Sequence, residues 1–255
     1  MRVIMLGCGT SSGVPRIGGN WGACDPTNPR NRRRRVSILV EHGEERVLVD
    51  TSPDLREQLL DAGVSRLSAV FYSHDHADHS HGIDDLRGVF HVQRARVDCY
   101  MDEATAATLT RRFDYVFHGH DGYPAVARAC AMGEAHRFGA LVVRPFRQLH
   151  GPIESNGFRF EASGHAIAYS TDISGIPEES WPLLKGLDLW IVDALRREPH
   201  PTHSHLAQTL SWIARARPKA AWLTHMDQSM DHDALLAELP EGVTPGYDGR
   251  VWEPA

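Results

Sequence analysis

Cysteines are few in this sequence, and none lie close together. Cys8, Cys24, Cys99 and Cys130 form no C-x-x-C motif, which favours free thiols in a reducing compartment over a disulfide framework. We therefore expect the protein to be located in the cytoplasm. Residues 1–15 lack a charged stretch followed by a long apolar run, and no segment reaches the roughly 18 apolar residues of a membrane span. Neither a secretion signal nor a membrane anchor is predicted.

An excess of positive charge is also missing. The formal net charge is −6 with neutral histidines, so the chain as a whole repels polyanions, and an anionic ligand needs a local basic site or a metal. The length of 255 residues and the 42% hydrophobic content are ordinary for a globular protein. No linker, internal repeat or low-complexity tract interrupts the chain, so a single domain over 1–255 is predicted. Sixteen histidines are the one unusual count.

Short apolar runs alternate with helix-like segments along the chain. VSILV and RVLVD flank the turn-like HGEE and predict a hairpin, and the next segment has helical spacing from Pro53 to Gly63. Strand-then-helix pairs follow at LSAVFYS, RVDCYMD, LWIVDAL and AAWLTHM. The pattern predicts an α/β fold with mixed sheet. Residues 113–137, which have weak periodicity, aromatics, glycine and proline, are interpreted as a lid over a site.

A dense group of histidines and aspartates follows the predicted strand LSAVFYS. His74, His76, Asp78 and His79 form the pattern H-x-H-x-D-H. Imidazole and carboxylate are ligands for zinc and manganese. A turn just past a strand can direct His74 and His76 to one ion, and the other pair to a second ion roughly 3.5–4 Å away. Because a purely structural role would crowd costly polar groups together, metal binding is favoured.

Three further candidates directly follow apolar runs elsewhere in the chain. They are His150 after FRQL, Asp172 after AIAYST and His225 after AWLT. A lone buried histidine is more often a satisfied core residue than a ligand. The recurrence at several predicted strand ends, where loops gather around one site, is the stronger observation.

These residues, in this order, resemble the metallo-β-lactamase superfamily. Asp50, at the end of RVLVD, resembles the superfamily's first acidic motif. The resemblance implies an αββα four-layer sandwich, with two mixed sheets flanked by helices. It implies that Asp50 fixes the ligand loop without touching metal. It assigns metal one to His74, His76 and His150, metal two to Asp78, His79 and His225, and a bridging role to Asp172.

Two further segments resemble the branch that contains ribonuclease Z and the PhnP-like phosphoribosyl cyclic phosphodiesterase. LGCGTSSGVPRIGG resembles the branch's opening motif, and THSHL places His203 like the extra histidine that contacts the scissile phosphate. Glyoxalase II shares the metal ligands but lacks this pair of features. The chain departs from the cyclic phosphodiesterase at WGACDPTNP, where Cys24 is the only cysteine and a structural zinc is not expected. The long insertion with which ribonuclease Z grips transfer RNA is not evident.

The sequence therefore predicts a hydrolase of small cyclic or nucleotide-like phosphodiesters. Two divalent ions, zinc or manganese with iron or nickel as alternatives, are expected to hold a bridging hydroxide that attacks phosphorus. His203 and Asp78 are the catalytic candidates. Ribonuclease Z-type processing of RNA 3′ ends and a nucleotide-binding metalloprotein without catalysis are the alternatives.

Remaining expectations concern partners and three other features of the chain. Long nucleic acid and membrane are not expected as partners, and a homodimer is allowed because many relatives are dimers. The basic run 29–35 is interpreted as a solvated or ion-paired surface, with one or two arginines near a substrate phosphate as the alternative. His118 and His120 are interpreted as part of a solvated loop, with a place in the lining of a substrate pocket as the alternative, and Cys8 is interpreted as a buried thiol.

Overall fold

Two seven-stranded β-sheets lie at the centre of the computed structural model, which describes residues 1–254. The strands of the first sheet, in spatial order, are β14 (Val251–Trp252), β1 (Arg2–Gly7), β2 (Ser37–His42), β3 (Glu45–Val49), β4 (Ala69–Phe71), β5 (Val97–Met101) and β6 (Ala127–Ala131). Those of the second are β13 (Val243–Pro245), β12 (Ala220–Thr224), β11 (Leu189–Asp193), β10 (His165–Ser170), β9 (Ile153–Ala162), β8 (Leu141–His150) and β7 (His136–Phe138).

Helices cover the outer faces of both sheets. They are α1 (Leu55–Ala62), α2 (Ala77–Ser80), α3 (Leu86–Gln93), α4 (Glu103–Arg112), α5 (Asp114–His118), α6 (Leu206–Ala216) and α7 (His232–Glu238). Short 3-10 segments occupy Pro29–Asn31, Ile83–Asp85 and Glu178–Leu184. The predicted αββα sandwich is confirmed. The longest helix has 11 residues, and no described helix has the length and apolar character needed to cross a bilayer.

Both sheets follow the same plan of strand directions. In the first sheet, β1, β2 and β3 are antiparallel and β3 to β6 are parallel. In the second, β7 to β10 are antiparallel and β10 to β13 are parallel. In such sheets the loops that follow the carboxyl ends of parallel strands gather at one edge. This arrangement brings the ends of β4, β8, β10 and β12 together.

Strands β1 to β4 of the first sheet are mostly buried on both faces. Val47 and Val49 of β3 pack in the core shared with the second sheet, whereas Leu48 between them packs with residues of α1 and α3. Side chains of a strand alternate between faces, so a continuous apolar run such as RVLV is what a strand between two apolar layers requires. The helix predicted next is also present, and its end is set by Gly63, whose φ of 67° provides a left-handed cap.

The segment 113–137 connects the two sheets. It forms α5, then edge strand β6 of the first sheet, and then begins edge strand β7 of the second. His118 and His120 are exposed and pair with Asp114 and Asp121. The cavity at the predicted ligands is lined by residues outside this segment, and a lid over a site stays a prediction.

The basic run 29–35 is largely engaged within the protein. Arg33 is buried, with 2% of its surface exposed, and its guanidinium donates to the carbonyls of Met230 at 2.6 Å and Asp227 at 3.2 Å. Arg34 pairs with Asp61, and Arg35 with Asp54. The ion-paired interpretation therefore describes this run better than the phosphate-binding alternative, and the burial of Arg33 was not anticipated.

Asp248 is expected to make the stability of the fold depend on pH. Its carboxylate accepts main-chain hydrogen bonds from Cys8 and Arg34, but burial outweighs them and raises its pKa to about 7. Because the unfolded value is about 3.9, the folded chain retains a proton that the unfolded chain loses between about pH 4 and 7. The free energy of unfolding therefore decreases as pH rises through that range.

Urea unfolding at about pH 5 and about pH 8 measures this effect, and the wild type should lose roughly 1–3 kcal/mol more than Asp248→Asn. The variant serves as the reference because all other titrating groups are common to both proteins. Equal losses in the two proteins would show that Asp248 is ionised throughout.

Candidate metal centre

Three of the predicted site residues adopt a left-handed backbone conformation where they leave their strands. Asp50 follows β3, Asp172 lies just beyond β10 and His225 follows β12, with φ values of 63°, 49° and 57°. Non-glycine residues adopt this left-handed region rarely, although aspartate and histidine do so more readily than most. Such strain, about 1–3 kcal/mol per residue, is typical of functional sites.

Seven of the predicted ligands form two groups that share Asp172. One group contains His74, His76, His150 and Asp172, and the other contains Asp78, His79, His225 and Asp172. Within each group one possible ligand atom per residue lies within 4.8 Å of the others. The structure thus brings the seven predicted ligands together, and their assignment to two ions stays a prediction.

Each oxygen of the Asp172 carboxylate faces a different group. Oδ2 lies 3.7 Å from Nε2 of His74 and 3.5 Å from Nε2 of His150. Oδ1 lies 3.0 Å from Nε2 of His79 and 3.2 Å from Nε2 of His225. A single carboxylate is therefore placed to contact two ions at once.

The donor set fits divalent metal ions. Ligand atoms at about 2.0–2.2 Å from a tetrahedral ion stand roughly 3.3 Å apart, and the separations around Asp172 are 3.0–3.7 Å. The Nε2 atoms of His74 and His79 are buried and make no hydrogen bond with the described residues. Unsatisfied buried polar atoms are costly, and a cation between the imidazoles would satisfy them.

Hydrogen bonds on the far side of the rings fix which nitrogen faces the site. Nδ1 of His79 donates to Oδ2 of Asp50 at 2.8 Å. Asp50 also accepts from the Ser73 hydroxyl at 2.8 Å, which in turn lies 3.0 Å from Nδ1 of His74. Nδ1 of His150 donates to the carbonyl of Thr202 at 2.7 Å. Each of these bonds leaves Nε2 free to hold metal, as is usual for metal-binding histidines.

Charge in the site favours a bound cation. Burial opposes ionisation of His79 and His225, but nearby carboxylates, with Asp172 first, raise the pKa of His79 well above its usual range and that of His225 to about 9. The same imidazoles lower the pKa of Asp172 despite its burial. By contrast, burial and the neighbouring rings lower the pKa of His74. Protons and cations therefore compete for this site.

His203 lies beside the two groups and is oriented by Asp193. Its Nδ1 donates to Oδ2 of Asp193 at 3.0 Å, which leaves Nε2 at 3.8 Å from Oδ2 of Asp172. The ring stacks on that of His225 with centroids 4.7 Å apart. Asp193 is completely buried, and its Oδ1 lies 4.0 Å from Nδ1 of His225. Asp193 therefore orients His203 by a hydrogen bond and lies close to His225 without forming one.

Asp193 was missed at the sequence level. It ends β11 in LWIVD, as an aspartate directly follows β3 in RVLVD, and that parallel could have indicated it. Ser73 and the Thr202 carbonyl carry no comparable signal, because a hydroxyl beside a strand end and a main-chain oxygen occur everywhere. Cys8 is buried, and burial raises the pKa of its thiol, as the buried-thiol interpretation expects.

A small cavity of about 230 Å³ opens onto the two groups. Its rim is formed by Ser11, Pro152 and Ile153, and its base by His76, Asp78, His150, Asp172, His203 and His225. Three larger grooves contain none of the predicted ligands: two of about 410 and 400 Å³ along α1, α3 and α5, and one of about 510 Å³ beside Arg2 and Glu41. The chemistry is therefore placed in the smaller cavity.

Comparison with known proteins identifies the family. The sequence profile of the Beta-lactamase superfamily domain matches residues 45–226, which include all the predicted ligands. The chain belongs to this superfamily. This chain is similar to a diphosphatase from the PhnP family whose crystal structure is known. The two sequences are 35% identical, the TM-score is 0.91, and the match covers 100% of this chain and 98% of the diphosphatase.

Two relatives match this chain over only part of their own length. An octanoyltransferase of Porphyromonas gingivalis is 32% identical over 98% of this chain and 51% of the relative. A ribonuclease Z of Bradyrhizobium sp. is 24% identical over 62% of this chain and 54% of the relative. The chain thus spans about half the length of these two proteins. Fold and family thus place the chain in the superfamily, and its histidine and aspartate groups could hold divalent metal.

Proposed function

We propose that this protein is a dinuclear metal-dependent phosphodiesterase that hydrolyses small cyclic or nucleotide-like phosphodiesters. The observation that carries the proposal is the position of Asp172, whose two oxygens face separate groups of imidazoles, with His203 beside them. A site with two ions about 3.5–4 Å apart suits in-line displacement at phosphorus. His74, His76 and His150 would hold the first ion, Asp78, His79 and His225 the second, and Asp172 both.

The protein's own residues contribute orientation and charge. Asp50 and the Thr202 carbonyl hold their histidines in the tautomer that presents Nε2 to the cavity. When bound, the two cations supply hydroxide at neutral pH and neutralise charge on the phosphate oxygens. His203, held by Asp193, presents Nε2 to the same space, where it can donate a proton to the leaving oxygen. The Asp193 carboxylate stabilises the positive charge of the ring that does so.

Cavity size and charge support a small substrate. Sites that enclose a drug-sized ligand are typically about 300–1,000 Å³, whereas this cavity is about 230 Å³. It has room for a phosphate and one adjoining group. The net charge of −6 repels a polyanion, and three of the five arginines in the run 29–35, namely Arg33, Arg34 and Arg35, are engaged within the protein. Small phosphodiesters are therefore favoured over transfer RNA precursors.

A second candidate is hydrolysis of a phosphoanhydride bond in a small diphosphate. The observation that favours it is the 35% identity, over nearly the full length of both chains, with the PhnP-family diphosphatase. The same residues serve either reaction, because both place a tetrahedral phosphorus and a leaving oxygen between the ions and His203. The two candidate reactions differ only in the leaving group, whose oxygen belongs to an alcohol in a phosphodiester and to a second phosphate in a diphosphate.

Hydrolysis assays on metal-free and reloaded protein separate these functions. We expect no activity on bis-p-nitrophenyl phosphate after chelation and recovery on addition of zinc, manganese, iron or nickel ions. A cyclic nucleotide, a nucleoside diphosphate derivative and precursor transfer RNA are compared next. Preference for the diphosphate would favour the second candidate, and preference for the RNA would favour ribonuclease Z-type processing. Binding of nucleotide without turnover under every metal would contradict an enzymatic role and favour the metalloprotein alternative.

A further inference from the structure

The amino end of α4 is linked to the start of the ligand loop through one asparagine. Asp102 caps the helix, with Oδ1 accepting from the main-chain N–H of Thr105 at 2.8 Å. Its other oxygen accepts from Nδ2 of Asn156, on β9 of the second sheet, at 2.6 Å. The same Nδ2 lies 3.2 Å from the Ser73 carbonyl, which also accepts from the Asn156 main-chain N–H at 2.9 Å. Asn156 therefore joins the helix cap to the residue before His74.

The carboxyl end of α4 holds the residue after His74. Arg112, the last residue of the helix, donates from one guanidinium nitrogen to the Asp75 carbonyl at 2.7 Å. A second nitrogen lies 3.4 Å from the Asp75 carboxylate. The two peptide carbonyls on either side of His74 are thus held from opposite ends of one helix.

We propose that α4 acts, through Asn156 and Arg112, as a support that positions His74 and His76 for metal binding. The peptide unit is planar, so the held Ser73 carbonyl fixes the peptide that precedes His74, and the held Asp75 carbonyl fixes the peptide that precedes His76. His76 is exposed, and its Nδ1 lies 3.4 Å from Nε2 of His150. Its direction depends on the peptide that Arg112 holds.

Arg112 and Asn156 are positioning residues, because neither belongs to the two ligand groups. Loss of such outer partners typically lowers metal affinity about 10- to 100-fold. The alternative is an ordinary surface contact between Arg112 and Asp75, since 38% of the arginine side chain is exposed. Exposed pairs of this kind contribute little to stability, so the two roles predict different results.

The test compares Arg112→Ala with Arg111→Ala in the full-length protein. Arg111 is the neighbouring residue of the same helix and makes no side-chain hydrogen bond or ion pair among the described residues, so it is a matched control. We expect Arg112→Ala to weaken cobalt(II) and zinc binding about 10- to 100-fold in chelator competition, and to change the visible spectrum of the cobalt(II) protein. Arg111→Ala should change neither. Melting temperatures without metal should be alike for both variants.

Asn156→Ala provides an independent arm, with the same expected loss of affinity and altered cobalt(II) spectrum. Metal affinities and spectra that are equal to those of the wild type for both Arg112→Ala and Asn156→Ala would overturn the proposal. So would a loss of metal-free melting temperature that accounts for the loss of affinity. The inference rests on the metal centre of the proposed function, but wild-type protein that binds two ions and cleaves no phosphodiester would overturn only that function.

Discussion

Replacing Asp172 with alanine is expected to abolish hydrolysis and to lower the binding affinity for both metal ions. Asp172 is the only residue common to both ligand groups, with one oxygen 3.0 Å from His79 and the other 3.5 Å from His150. Its removal takes a ligand from each ion and the negative charge between the imidazoles. The loss of affinity should exceed the about 100-fold that losing an outer partner costs. Metal content after dialysis, with kcat measured in excess metal, records both effects.

Asp172→Asn separates charge from volume, because it keeps the size and shape of the side chain while removing the negative charge. Asp61→Ala is the control, since Asp61 is an exposed partner of Arg34 remote from the ligand groups. It should leave metal content and kcat unchanged. An Asp172→Ala protein that retained two ions per chain and the wild-type rate would contradict the shared-ligand arrangement.

Replacing His203 with alanine is expected to lower kcat about 10²- to 10⁴-fold while leaving metal bound, the range typical of a lost general acid. The ring is outside the two ligand groups that share Asp172, and its Nδ1 is engaged by Asp193. The effect should depend on the leaving group. A p-nitrophenolate leaves without a proton, so the loss should be smaller for p-nitrophenyl esters than for esters of alkyl alcohols. Metal analysis and kcat for both substrate types provide the measurement.

Asp193→Asn is the companion variant, because it retains His203 but removes the carboxylate that orients the ring. An intermediate loss of kcat is expected. Unchanged turnover in metal-replete His203→Ala would contradict a catalytic role. Loss of a metal ion from that variant would show instead that His203 is a ligand, a possibility raised by its grouping with Asp193 and His225.

The sheets and the ligand candidates were predictable because both depend on short sequence patterns. The apolar run VLV in RVLVD predicts a buried strand. Val47 and Val49 pack in one core cluster and Leu48 packs in the other, which confirms that both faces of this strand are covered. The ligand candidates were singled out because His74 opens a cluster at the end of such a run, and because His150, Asp172 and His225 each directly follow one. They form a site only because residues far apart in sequence lie close together in the fold. Asp78 and His225, for example, are 147 positions apart, yet Oδ2 of Asp78 lies 3.5 Å from Nε2 of His225.

The supporting contacts could not be predicted for the same reason. Asp193 meets His203 only because the chain turns back after β11. Arg112 holds a main-chain carbonyl, and a carbonyl has no signature in the sequence. Arg33 shows the opposite limit, since a run of arginines predicts an exposed surface and gives no sign that one guanidinium is satisfied by buried carbonyls.

The matching plans of the two sheets have a consequence for how the molecule holds together. The amino-terminal sheet supplies His74, His76, Asp78 and His79, and the other sheet supplies His150, Asp172 and His225. Neither half alone carries a complete set of donors for two ions. Binding that occurs only when both halves are joined stabilises the folded chain by mass action. A cation bound between the two halves would therefore raise the free energy of unfolding, and the metal-free protein is expected to unfold at a lower temperature than the metal-loaded protein.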